Sequence, residues 1–193
     1  MSSEELLSIL RADVVEAARA LLGSILIRGE MQARIVEVEA YRSDDPACHA
    51  FNGRTPRTEI MYGPPGFAYV YFNYGVHWML NVVCHDAGDP AAVLVRAAVP
   101  MEGLDQMRAN RGVPRDRDLL SGPGKLAKAF AITGADNGID LLSGQSNLRL
   151  IPPEVATSNI VAGSRIGIAE GKWHDVPWRF IDGDAIAWTS VRR

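Results

Sequence analysis

Cysteine is scarce in this chain: its 193 residues hold two, Cys48 and Cys84. That excludes a small fold stapled by disulfides and suits a reducing, cytoplasmic setting. No apolar run approaches the roughly 20 residues of a membrane span. Met1-Ser2-Ser3-Glu4-Glu5 lacks the basic start and apolar stretch of a secretory signal. Repeats and low-complexity tracts are absent. Lysine is nearly absent too: Lys125, Lys128 and Lys172 are three of the 20 basic residues, and the rest are arginine. Arginine excess fits bidentate phosphate binding, although a GC-rich genome gives the same bias.

What is present is ordinary for a soluble globular protein, with 47% hydrophobic and 22% charged residues. One domain spanning residues 1–193 is expected at this length. Such a chain buries roughly 70% of its unfolded surface, enough for a core without disulfides or metal. The net charge of −3 does not mark a nucleic-acid binder in bulk. Its distribution is more informative. Between Gln106 and Lys128, six basic residues face two acidic ones, so this segment is +4 and the remainder −7.

Asp13 to Leu22 reads as a helix, with Asp13 as cap, Glu16 completing a capping box and Gly23 as stop. Ser24–Arg28 and Ala33–Tyr41 read as strands. In the second, alternation sets Val36, Val38 and Ala40 on one face, and Ile35, Glu37, Glu39 and Tyr41 on the other. Two carboxylates on one strand face, taken alone, read as a solvated surface. Arg42–Pro65 is rich in Pro, Gly and Asp, and so long a loop inside a domain is usually functional; it carries His49, Arg54 and Arg57.

Phe67–Cys84 reads as a β-hairpin turning at Asn73-Tyr74-Gly75, which leaves Tyr74 at or beside an exposed tip. Ala91–Ala98 is a further strand holding Arg96 in an apolar run, so Arg96 is expected to reach an anion or line a cleft. Helices are expected near Met101–Arg111 and Gly124–Ala131. The turn Ser121-Gly-Pro-Gly-Lys125 before the second offers N–H groups to an anion, without the spacing of a P-loop. Strand candidates recur at Leu148–Ile151, Ser164–Ala169, Trp178–Ile181 and Ala185–Val191. The pattern is a single α+β domain with mainly antiparallel strands.

Three chemistries find little support. Cys48-His49 and Cys84-His85 would be a poor zinc set, because adjacent residues on extended chain point apart. No Gly-x-Ser-x-Gly elbow is present. Both cysteines lie in apolar surroundings that favour a core role. What remains is a carboxylate among aromatics and polar groups: Glu39, Tyr41, His49, Tyr69, Tyr71, Tyr74, Asn81 and Arg96. Tyr, His and Asn stack on and hydrogen-bond a planar heterocycle, and a carboxylate activates water.

Ala33-Arg-Ile-Val-Glu-Val-Glu-Ala-Tyr41, His49, Thr55-Pro-Arg57, Tyr69-Val-Tyr-Phe-Asn-Tyr-Gly75, Asn81, Val93-Leu-Val-Arg-Ala97 and Leu120-Ser-Gly-Pro-Gly-Lys-Leu126 resemble, in order, the alkyladenine (3-methyladenine) DNA glycosylase family. The resemblance runs from about Leu22 to Leu142 and more loosely beyond. It implies a curved antiparallel sheet with surrounding helices and a hairpin that inserts into DNA. It implies Glu39 as the general base for water, with Arg96 near the water and the DNA backbone. Tyr41, His49 and Tyr71 match the pocket for a flipped base, and Asn81 the residue that crowds the 2-amino group of guanine. Tyr74 matches the minor-groove wedge; Arg57 and Lys125 match DNA-contacting positions.

The expected partner is double-stranded DNA containing alkylated bases, with no membrane, metal or organic cofactor, and a monomeric enzyme without lyase activity, since no lysine falls in the pocket motifs. Glu37 is expected to be replaceable without large loss. The Ser43–Pro46 stretch is one residue shorter than the family pattern, which bears on the pose of His49. Two other readings stay open: a non-enzymatic nucleic-acid-binding module, in whose groove the Glu39 carboxylate would cost affinity, and a hydrolase of free nucleosides, which needs neither Tyr74 nor the basic segment.

Overall fold

The sheet is organised around one long strand. In the computed structural model, which describes residues 1–190, β2 (Met31–Arg42) is flanked along one edge by β5 (Ala91–Glu102). Its other edge is shared: β1 (Ile25–Arg28) pairs with its first half, and β8 (Arg179–Asp182) with Glu37, Val38 and Glu39. β3 (Ala68–Asn73) and β4 (His77–Cys84) extend the sheet beyond β5, β6 (Leu148–Ile151) extends it beyond β1, and β7 (Ile160–Gly163) pairs with β8. All of these pairings are antiparallel, and the result is a curled α+β sheet.

The main core lies on one face, where α1 (Ser3–Ala12), α2 (Val14–Leu21) and α4 (Pro123–Ala129) set Leu6, Leu10, Leu21 and Leu126 against Ile35, Val38, Val82 and Val95. α1 is absent from the sequence reading, although Ser2 and Glu5 form a capping box: Glu5 N–H donates to Ser2 Oγ at 3.1 Å and Ser2 N–H to Glu5 at 2.6 Å. α2 starts at the expected cap, with Asp13 accepting from Val15 and Glu16 N–H, so the acceptor work falls to Asp13 alone.

The alternation inferred for β2 fails at Val36. Ile35 pairs with Ala98 and Glu37 with Ala97, so Val36 is an extra residue; Val38 then pairs with Val95, leaving Arg96 extra on β5. These two bulges rephase the strand. Ile35 therefore joins Val38 and Ala40 in the main core, and Val36 packs with Ala97 and Ala185 in a small separate cluster. Beyond the bulge Glu37 and Glu39 share the opposite face with Tyr41, yet this face is not solvated: both carboxylates are 0% exposed.

Three further expectations are corrected. Met101 and Glu102 end β5, and α3 (Leu104–Arg111) begins only after Gly103, whose φ is 71°. Ser164–Ala169 is not a strand, because the Ile166 N–H is taken by Glu39 and Gly167 has φ 81°. Ala185–Trp188 lies in a 3₁₀ segment started by Asp182, which caps Asp184; Val191 lies outside the described residues.

Candidate active site

The hairpin sets one wall of the site. Tyr69 pairs with Asn81 and Tyr71 with Met79, so alternate residues of β3 and β4 turn toward the same side. At the tip, Tyr74 and Gly75 have φ 49° and 66°, and Val76 N–H donates to Asn73 at 3.0 Å: a type I′ turn. Tyr74 pays the left-handed penalty and is 89% exposed, so nothing in the fold packs against its ring. Just behind the tip, where β4 begins, a Cβ on Gly124 would lie 2.9 Å or closer to two His77 side-chain carbons. The Gly-Pro-Gly block thus lets α4 approach the hairpin.

A cleft of about 420 Å³ opens beside this wall, lined among others by Tyr41, His49, Tyr71, Asn81, Arg96 and Ile166. Directly beneath it sits Glu39. One carboxylate oxygen accepts from Ile166 N–H at 2.7 Å. The other accepts from the Tyr41 hydroxyl at 2.7 Å and from Arg96 Nη1 at 3.2 Å. Burial, then the adjoining Glu39, holds the Tyr41 phenol well above its usual range, so it remains a donor.

His49 stands edge-on to Tyr71, with ring centroids 4.6 Å apart, and its Nδ1 is 2.9 Å from Tyr69 Oη. Arg57 donates from Nη2 to His49 Nε2 at 3.4 Å and lies over the Tyr71 ring at 4.9 Å. An arginine only donates, so Nε2 is the acceptor and the imidazole proton sits on Nδ1, facing Tyr69. Part of the His49 residue reaches solvent, but enclosure by the tyrosines, reinforced by Arg57, pushes the imidazole down to about 4. It is neutral at pH 7. Burial raises the Tyr69 and Tyr71 phenols to about 12. Asn81 is buried and donates from Nδ2 to the Tyr69 carbonyl at 3.0 Å.

The structure thus brings Tyr41, His49, Tyr71, Asn81 and Arg96 to one cleft, with Tyr74 at its rim, and holds Glu39 behind the lining residues Tyr41, Arg96 and Ile166. Arg57 is tied to the wall residues His49 and Tyr71. Lys125 is exposed on α4, two residues from the cleft's Pro123, with its amine donating to Ser121 Oγ at 3.0 Å. The basic segment is less free than its sequence charge suggests. Arg108 bridges Asp105 and Asp116, Arg115 pairs with Asp118, and Arg111 bonds the Leu119 and Asp118 carbonyls.

Several partners escaped the sequence reading. Arg96 does reach an anion, but a double one: besides Glu39, its Nε is 3.4 Å from Glu37. Lys172, placed by sequence away from the pocket motifs, lines the cleft. Arg165 is wholly buried, forms a two-pronged pair with Asp45 and stacks on the Tyr41 ring at 4.6 Å. Its only sequence signal is position, directly before the residue whose N–H holds Glu39. The cysteines part company, Cys48 in a cluster with Met61 and Tyr69, Cys84 in the main core; burial raises the Cys48 thiol to about 11.

The chain is similar to several known proteins. A protein from Agrobacterium fabrum (strain C58 / ATCC 33970) is 47% identical over 92% of this chain and 89% of its own length. One from Rhodopseudomonas palustris (strain ATCC BAA-98 / CGA009) is 51% identical over 86% of this chain and 79% of its own. One from Nitrosospira multiformis (strain ATCC 25196 / NCIMB 11849 / C 71) is 47% identical over 88% and 85% respectively. All three carry the provisional name 3-methyladenine DNA glycosylase. The family model described as methylpurine-DNA glycosylase matches residues 8–185, and with nearly the whole chain covered, this protein belongs to the methylpurine-DNA glycosylase family.

Proposed function

We propose that this chain hydrolyses the N-glycosidic bond of 3-methyladenine and related alkylated purines in duplex DNA, releasing the free base and leaving an abasic site. The observation that carries the reading is Glu39. It is a fully buried carboxylate oriented by three donors under a cleft walled by Tyr41, His49 and Tyr71. Ionised carboxylates are rarely sequestered this completely without a task or a structural partner.

In this reading the lesion nucleotide leaves the helix and enters the cleft. Tyr41, His49 and Tyr71 stack on and flank the base. Glu39 accepts a proton from a water that attacks the anomeric carbon, and Arg96, beside it, balances the carboxylate's charge. The electron pair of the breaking C–N bond goes to the base. A cationic alkylated purine accepts it as a neutral leaving group. The nucleophile is water rather than an amine; Lys172 stands exposed in the cleft lining. Neutral His49 does not supply an acid at pH 7.

Tyr74 fills the space the base vacates. Tyr74→Ala is expected to weaken binding to lesion duplex by about 1–3 kcal/mol, the scale of one lost base–aromatic stack. Titration of a fluorescent lesion duplex at fixed salt checks this, and unchanged affinity removes Tyr74 from the wedge role.

Asn81 is buried in the cleft wall, and in this reading it crowds the 2-amino group of guanine. Asn81→Ala is expected to raise release of guanine-type bases relative to 3-methyladenine, because both the clash and the unpaired polar group are removed. Chromatography of the released bases reads the ratio; a constant ratio assigns the discrimination elsewhere. The proposal as a whole is tested by incubating the protein with methylated duplex DNA and identifying what is freed.

A further inference from the structure

Beneath the cleft floor lies a second carboxylate that the proposed reaction does not use. Glu37 is 0% exposed. It accepts from Ser190 N–H at 2.6 Å, from the Ser190 hydroxyl at 2.7 Å and from Arg179 Nη1 at 3.1 Å. The same Ser190 oxygen lies 3.3 Å from Nε and Nη2 of Arg96, whose Nη1 holds Glu39. Two carboxylates and two guanidiniums thus form one neutral, hydrogen-bonded group, and Arg96 spans it as the extra residue of a bulge.

Such a group is more than is needed to bury Arg96. A single carboxylate would neutralise it, and Glu39 already does. A second negative charge two residues along the same strand face sits about 7 Å away. It draws Arg96 partly off Glu39 and makes that carboxylate a better proton acceptor. We propose that Glu37, held by Ser190 and Arg179, is a positioning residue that shares Arg96 with Glu39 and thereby sets the basicity of the catalytic carboxylate. This rests on the reading of Glu39 as general base, and it reverses the expectation that Glu37 is dispensable.

Other charged or titratable groups face Glu39 from several elements. Tyr41 stands on its own strand, Arg96 on β5 and Arg179 on β8, its strand partner. Tyr71 lies across the cleft, with His49 and Arg57 behind it. Arg165, paired to Asp45, backs the Tyr41 ring, and Lys172 stands at the rim. Of these groups, only Arg96 and Arg179 touch Glu37.

The test is single-turnover release of 3-methyladenine across pH, with enzyme saturating, for the unchanged protein, Glu37→Gln, Arg179→Gln and Glu39→Gln. Losing the Glu37 charge is expected to move the midpoint of the rising limb down by about one pH unit, the scale of a like charge 7 Å away at intermediate dielectric. The plateau should fall about tenfold as Arg96 settles on Glu39. Arg179→Gln removes a positive charge and should move the midpoint the opposite way, by roughly a third of a unit.

Affinity for lesion duplex should stay within about twofold for both variants, since neither side chain lines the cleft. Opposed shifts support the inference, because lost packing alone does not produce them. Unshifted midpoints, or shifts in one direction, overturn it. If Glu37→Gln does not fold, Arg179→Gln decides: an upward shift supports the inference and none overturns it. If Glu39→Gln retains full activity, the general-base reading fails and the inference with it. A dead Glu39→Gln beside an unshifted Glu37→Gln overturns the inference alone.

Discussion

Glu39→Gln is expected to abolish base release while leaving lesion-DNA binding largely intact. The amide is nearly isosteric and its oxygen still accepts hydrogen bonds, from Ile166 N–H or from the Tyr41 hydroxyl and Arg96. What it loses is the capacity to take a proton from water, a step worth roughly 10²–10⁴-fold. The substitution also leaves Arg96 with one carboxylate, Glu37, so the guanidinium stays paired and the fold is retained. Single-turnover release, measured beside equilibrium binding of the same lesion duplex, separates the two effects. A variant that binds and still releases base at the normal rate removes Glu39 from the chemistry.

The largest expected stability change is at Asp45. Arg165, fully buried, donates from Nη1 and Nη2 to Asp45 and also to the Ala40 carbonyl, and its guanidinium lies between the rings of Tyr41 and Trp178. Asp45→Ala leaves that cation buried without its counter-charge, which costs about 3–5 kcal/mol. For a domain of this size the melting temperature should fall by about 6–20 °C. Because Ile166 follows Arg165 and holds Glu39, loosening this loop should also slow base release well below the melting range. Thermal unfolding followed by circular dichroism checks the first effect; a loss under about 1 kcal/mol would show that water reaches Arg165.

How far the sequence carried this account depends on the kind of signal. The hairpin was legible because Asn-Tyr-Gly is turn chemistry between two aromatic and branched runs, and the strand alternation there is unbroken. The candidate site residues stand in the sequence as ordered blocks, and several of them line one cleft in the fold. β2 was legible in extent but not in phase. A bulge adds one residue without any mark in composition, so Ile35 and Val36 were assigned to the wrong faces.

The burial of Glu37 and Glu39 was hidden for a related reason. Their long-range partners come from 57 to 153 positions away, at Arg96, Ile166, Arg179 and Ser190. Periodicity registers only local order, and a carboxylate pair on a strand face looks solvated until those partners are in place. The segment at Ser164–Ala169 shows the converse: its residues suit a strand, but the Ile166 N–H is committed to Glu39 instead of a ladder. α1 is faint in periodicity, being ten residues long with only Leu6 and Leu10 buried, although Ser2 and Glu5 spell a capping box.

The central claim, that a buried carboxylate under this cleft drives hydrolysis of an alkylated purine's glycosidic bond, comes down to one measurement. Methylated duplex DNA is incubated with the protein and with its Glu39→Gln variant, and the soluble bases are resolved by chromatography. The account predicts free 3-methyladenine from the unchanged protein, an abasic site in an otherwise intact strand, and neither product above background from the variant. Equal release by both proteins, or no free base from either, would contradict it.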